Sequence, residues 1–126
     1  MKYLIAAASL FLSGLAFAAQ GGRPDVYTTR FFYLKPEVTF EQAKQSLDSL
    51  NTVLSKLKGF EKRNVFFDKD QKVWIDQIKW KHADAAKSGD KTLTNDPAFT
   101  NLAKLSDPNR TTQYQAERVT EFDAPK

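Results

Sequence analysis

Cysteine is absent from this sequence, which excludes disulfides, thiol nucleophiles and thiolate metal sites. Histidine occurs once, at His82. A transition-metal site would therefore need carboxylates clustered around that residue, and none are spaced for it; no metal and no cofactor are expected. Beyond the first eighteen residues there is no long apolar run, so no stable membrane insertion is expected from the rest of the chain. Basic runs are missing as well. The 19 lysines and arginines are interspersed with 15 acids, so the pI near 9.3 reads as a solvated surface and not as a nucleic-acid footprint. Internal repeats are absent too.

What is present begins with a three-part export pattern. Met1-Lys2-Tyr3 carries one positive charge, and Leu4 to Phe17 carries none and is strongly apolar. Ala16-Phe17-Ala18 then sets small residues three and one before a cut. The run is short for a bilayer span, and the pattern is that of a cleavable secretory signal. A signal peptide over residues 1–18, a mature start at Ala19 and a periplasmic or secreted location are the expectations. With no cysteine after the apolar run, lipid attachment there is ruled out.

Residues 19–24 read as a flexible leader. From Asp25 to Lys35 the chain is β-branched and aromatic, a strand signal, and Pro36 ends it. Thr39 and Gln42 form a capping box ahead of Phe40, Ala43, Leu47, Leu50, Leu54 and Leu57. Their three- and four-residue spacing predicts an amphipathic helix closed by Gly59. Phe60–Asp68 and Lys72–Lys81 are predicted strands around the polar turn Asp68-Lys69-Asp70-Gln71. A calcium loop at Asp68 and Asp70 would need a glycine and a distal glutamate that are missing. A second helical region is expected over 83–105, interrupted near Ser88-Gly89 and restarted by Asp96-Pro97. Thr111–Phe122 is the last predicted strand, with 123–126 as a tail. The order β-α-β-β-α-β predicts one α+β domain over 25–122. Its fold is ferredoxin-like, a four-stranded antiparallel sheet with helices on one face.

Several spaced residues also resemble a known family. They are Gly59-Phe60-x-x-Arg63, Val73-Trp74-x-Asp76, Trp80, Ala83-x-Ala85-Ala86 and Asn95-Asp96-Pro97-Ala98-Phe99. Together they are similar to the dimeric α+β barrel superfamily, in the branch of antibiotic-biosynthesis-monooxygenase-like (ABM-like) domains. The resemblance implies a homodimer whose two sheets pack face to face into an α+β barrel. The residues agree independently. Phe31, Phe32, Tyr33, Phe66, Phe67, Trp74, Trp80 and Tyr114 put aromatics on both sheet faces. Helices can cover only one, and a bare aromatic face is rare on a monomer.

The resemblance implies activities as well. Haem-degrading members use an asparagine on the first strand, and a tryptophan and a histidine in the second helical region. Here the first strand has no asparagine, and residues 87–105 have neither tryptophan nor histidine, which speaks against haem degradation. Phenol-oxidising members work without a cofactor, through asparagine, tryptophan, tyrosine and arginine; Asn64, Trp74, Tyr33 and Arg63 supply those residue types. Tyr33, Asn64, Trp74, Trp80 and His82 are the ligand-binding candidates. Against each stands a structural role: tryptophan and tyrosine on strands are usually core, and a lone histidine at a strand–helix junction is more often a cap or surface residue. No catalytic residue is assigned.

Arg63 and Asp76 come together if Lys69-Asp70 are the two central turn residues, because Arg63 then faces Asp76 and Val65 faces Trp74. A charge pair on so apolar a face should be buried. It reads as a structural ion pair at the dimer seam, ahead of the polar end of a pocket. The leading expectation is an exported homodimer that binds a small aromatic or apolar molecule. The alternatives are a cofactor-independent monooxygenase acting on a phenolic or polycyclic substrate, and a structural or partner-binding protein without a pocket.

Overall fold

The computed structural model describes residues 24–126; the expected signal peptide and all but the end of the leader lie outside the described residues. Strand β1 (Val26–Phe32) is followed by helix α1 (Phe40–Leu54), strands β2 (Phe60–Asp68) and β3 (Val73–Trp80), helices α2 (Ala83–Thr94) and α3 (Pro97–Leu105), and strand β4 (Thr112–Glu117). The four strands form one sheet in the order β2-β3-β1-β4, with every pairing antiparallel. That is the ferredoxin-like arrangement, with its second helical element in two pieces.

Local chemistry accounts for each boundary. The capping box opens α1 in full: Thr39 accepts from the Gln42 backbone N–H and the Gln42 side chain accepts from the Thr39 N–H. Ala43, Leu47, Leu50 and Leu54 are the buried stripe of that helix, whereas Phe40 remains half exposed. The second helical region breaks at Asn95-Asp96, not near Ser88-Gly89. Asp96 caps α3 through the Ala98 N–H, and Pro97 occupies the first turn. Gly89 instead lies inside α2 for a packing reason. A Cβ there would come within 2.2 Å of the Trp80 ring, so only glycine lets the helix approach. The last strand is shorter than expected: it ends at Glu117, and residues 118–126 carry no regular structure.

The β2–β3 hairpin also corrects the expected register. Four residues, Lys69 to Lys72, bridge Asp68 and Val73, so Val65 pairs with Asp76 and Arg63 with Ile78. Asp68 organises the wider turn, accepting from the Asp70 and Gln71 N–H groups, and Lys72 closes it at φ 61°. The slip from the two-residue turn is an even one, so every side chain keeps its expected face.

One sheet face packs under the helices. Val26, Thr28, Arg30 and Phe32 of β1 and Trp74, Asp76, Ile78 and Trp80 of β3 are all buried there, with the α1 stripe, Ala85, Ala86, Leu93 and Leu102 above them. The buried Trp80 indole N–H donates to Thr28 Oγ1 at 3.0 Å. The opposite face carries Phe31, Phe66, Ile75 and Tyr114, which no helix covers; Phe66 is 50% exposed and Tyr114 62%. The Phe31 and Tyr114 rings meet edge to face across β1 and β4, 6.3 Å apart.

Candidate functional site

Polar residues cross the helix-covered face in one row. Gln113 of β4 pairs with Arg30 of β1, and Arg30 pairs with Asp76 of β3. Two arginine side chains on this face are buried, Arg30 in the row and Arg63 diagonal to it on β2, and they are served very differently.

Arg63 grips Asp76 with both arms of its guanidinium, Nε to Oδ1 at 2.9 Å and Nη2 to Oδ2 at 2.7 Å. Its Nη1 donates to the Leu47 carbonyl at 2.7 Å and to Asn51 Oδ1 at 2.8 Å, both on α1. The side chains are 5% and 0% exposed. The pair is reached diagonally, because Arg63 stands opposite Ile78. It also lies under α1, on the face away from the bare aromatics, so it is not at a sheet-to-sheet seam. A bidentate, fully partnered pair of this kind is a fastening between β2, β3 and α1.

Arg30 is the other case. It is 4% exposed. Its Nε and Nη2 both donate to Gln113 Oε1, at 3.1 and 2.6 Å, and Nη2 also reaches Asp90 Oδ1 of α2 at 3.3 Å. The Gln113 amide in turn donates to Asp90 Oδ2 at 3.0 Å, and the Arg30 guanidinium sits 4.7 Å from the centre of the Phe99 ring. Burial pulls the Arg30 pKa below its ordinary value, against the opposing pull of Asp90 and Asp76. Nη1 of Arg30 has no partner, the one buried side-chain nitrogen or oxygen among the described residues left so.

Arg30 stands in the wall of a cleft of about 380 Å³ between β1, β4 and α3. Phe32, Phe99 and Leu102 supply apolar walls, and Thr94, Ser106 and Gln113 add polar groups. The cleft exists because the helices stop short of edge strand β4, whose residues are exposed on both faces. Its size and its apolar lining with few polar groups are those of small-molecule sites.

The residues singled out from sequence do not assemble here. Trp80 is core. Trp74 stacks among Phe32, Phe40 and Phe67 and edges a separate cleft with Leu34, Val38 and Lys72. Tyr33, just past β1, lies under the Arg110 guanidinium at 3.6 Å. Asn64 is exposed on β2 and pairs with Gln77, on the face opposite Arg63 and Phe67. His82 caps α2, its Nδ1 accepting from the Ala85 N–H at 3.3 Å, beside a shallow cleft. The residues that do converge are Arg30, Asp90, Phe99 and Gln113. The sequence carries no local signal for them, because both parities of β1 hold aromatic and β-branched residues.

No family model matches the chain, and no curated protein matches it by sequence. Solved structures do match. A variant of SnoaB, a cofactor-independent oxygenase from Streptomyces nogalater, superposes with a TM-score of 0.68 at 13% identity, covering 80% of this chain and 99% of that one. A Bordetella bronchiseptica protein whose name proposes an antibiotic biosynthesis monooxygenase gives 0.60 at 8% identity, covering 78% and 100%. A dimeric protein of unknown function and ferredoxin-like fold from Bacteroides fragilis gives 0.54 at 15% identity, covering 75% and 96%. At such identities the likeness is one of fold. This chain therefore has the ferredoxin-like α+β fold of SnoaB and of the other ABM-like structures it superposes on.

Proposed function

We propose that the protein is an exported homodimer that binds a small, largely apolar molecule in the cleft beside Arg30. The observation that carries this reading is the cleft itself: about 380 Å³, walled by Phe32, Phe99 and Leu102, with a buried guanidinium in its lining. Native mass spectrometry of the protein purified from its source organism tests it. A retained small molecule is expected, and Ala103→Trp, which fills the cleft from α3, should abolish retention. A protein that carries nothing and is not thermally stabilised by any fused-ring compound would refute the reading.

A second reading is favoured by the fold shared with a cofactor-independent oxygenase: oxygenation of a bound phenol, with Arg30 holding the oxygen of the substrate. Oxygen uptake with a panel of phenols separates catalysis from binding alone.

The homodimer is supported by the bare aromatic face of Phe31, Phe66 and Tyr114 and by a similar fold in a protein described as dimeric. A stable association should bury more than about 1,200 Å² in total. Light scattering is expected to give a dimer at micromolar concentration; a monomer would overturn that part. Export rests on the apolar run and the Ala16-Phe17-Ala18 site. The N-terminus of the mature protein should be Ala19, and an intact Met1 would refute it.

A further inference from the structure

A second cleft, of about 490 Å³, lies between the β1–α1 loop, the first turn of α1 and the β2–β3 hairpin. It shares no lining residue with the cleft beside Arg30. Phe67 and Trp74 in its wall belong to the helix-covered side of the sheet, so an association through the bare aromatic face leaves it open. Its apolar part is built from rings: Trp74 meets Phe67 at 4.6 Å and Phe40 at 5.2 Å. Phe40 heads the apolar stripe of α1 and is nevertheless 51% exposed.

The charge in this wall is of one sign. Lys35 and Lys72 line the cleft and no acid does. The ion pairs among the described residues involve neither lysine. Asp68, at the head of the hairpin turn, is taken up with the Asp70 and Gln71 N–H groups. The backbone N–H groups of Lys35, Val38 and Lys72 are each bonded to a carbonyl of the chain, which leaves the two ammonium groups as the charged donors on offer. Lys72 also sits at φ 61°, the one non-glycine residue at positive φ among the described residues. Glycine or asparagine would hold that backbone with less strain, so what the lysine adds there is its side chain. Two cations with no counter-charge beside an apolar hollow attract an anion and repel a cation.

We propose that this cleft is a second binding site, for an amphiphilic anion: a hydrocarbon body seated against Phe40, Phe67 and Trp74, and a carboxylate or similar head held between Lys35 and Lys72. Its volume is that of a small-molecule site. The inference stands independently of the cleft beside Arg30.

Titration calorimetry of the mature protein at low salt with octanoate, octanol and octyltrimethylammonium tests it, because the three share one hydrocarbon body and differ in the charge of the head. Octanoate is expected to bind roughly fivefold tighter than octanol, the worth of a partly exposed ion pair, and octyltrimethylammonium weakest. The preference for octanoate should shrink as salt is added. In ¹⁵N NMR the Trp74 indole N–H should move with octanoate, whereas that of Trp80, bonded to Thr28 in the core, should stay in place. Lys72→Asn should erase the preference for octanoate while the melting temperature holds or rises, since asparagine tolerates the backbone there. Ala103→Trp, which fills the cleft beside Arg30, should leave octanoate binding unchanged. Equal affinity for octanoate and octanol would overturn recognition of the anion. Binding that leaves the Trp74 indole unmoved, or that Ala103→Trp abolishes, would overturn the placement of the site. Absence of binding by all three would overturn the inference as a whole and leave the reading of the first cleft untouched. The wild-type series and the indole shifts decide even where a variant fails to fold.

Discussion

Arg30 and Arg63 lie on the same face of one sheet, two strands apart, and both are about 5% exposed in their side chains. Around Arg63 every guanidinium nitrogen has a partner, and the opposing carboxylate is engaged through both oxygens. Around Arg30 the partners are an edge-strand glutamine and a more distant, partly exposed aspartate, with one nitrogen left over. Burial alone therefore does not separate a fastening from a binding group. Saturation does. A charge whose donors are all met by its own chain has nothing to offer a ligand, whereas one short of a partner beside a cleft does.

The comparison can be broken by mutation. Arg63→Met should cost about 3–5 kcal/mol in urea melts, because it strands the Asp76 carboxylate in the core. Adding Asp76→Leu should recover most of that loss, since it removes the stranded charge; strictly additive losses would mean that the two residues do not act as a pair. Arg30→Met should cost less, about 1–2 kcal/mol, because Asp90 is 20% exposed and can be rehydrated, and because the variant also removes an unmet donor. A cost equal to that of Arg63→Met would make the two arginines equivalent and end the distinction. Gln113→Leu should cost about 1 kcal/mol through the hydrogen bonds lost by Arg30. At the small end, Lys44→Met breaks the exposed Lys44–Asp48 pair on α1 and should leave the melting curve where it was. A visible shift there would mean that exposed pairs matter more in this fold than the buried contrast assumes.

How much of this could be read from the chain follows the range of the interactions involved. The Thr39–Gln42 box, the α1 stripe from Ala43 to Leu54 and the Asp96-Pro97 restart are local, and the structure has them where the spacing puts them; the far end of α1 differs, because the helix stops at Leu54 with Ser55 as its C-cap and leaves Leu57 and Gly59 in the turn beyond it. The β2–β3 turn is local as well, but its length depends on Asp68 accepting two backbone N–H groups and on the left-handed Lys72, which composition does not announce. The register therefore slipped by two, and the faces survived because two is the period of a strand. Gly89 looked like a helix breaker because its reason is non-local: the Trp80 ring that occupies the space a Cβ would need.

The cleft is non-local throughout. Arg30 meets Asp90 across 60 positions and Gln113 across 83. In the stretch Val-Tyr-Thr-Thr-Arg-Phe-Phe both parities contain aromatic and β-branched residues. Nothing in that strand alone says that Arg30 points under the helices. Both tryptophans are buried, and Trp74 also edges a cleft with Leu34, Val38 and Lys72, a placement that depends on contacts far apart in the chain.

The most direct test follows the side-chain nitrogens of the two arginines by ¹⁵N NMR while 1-naphthol is added to the mature protein. The account predicts that the Arg30 guanidinium resonances shift in proportion to occupancy while those of Arg63 stay in place. Movement of Arg63 with Arg30 unchanged, or binding that disturbs neither, would contradict it.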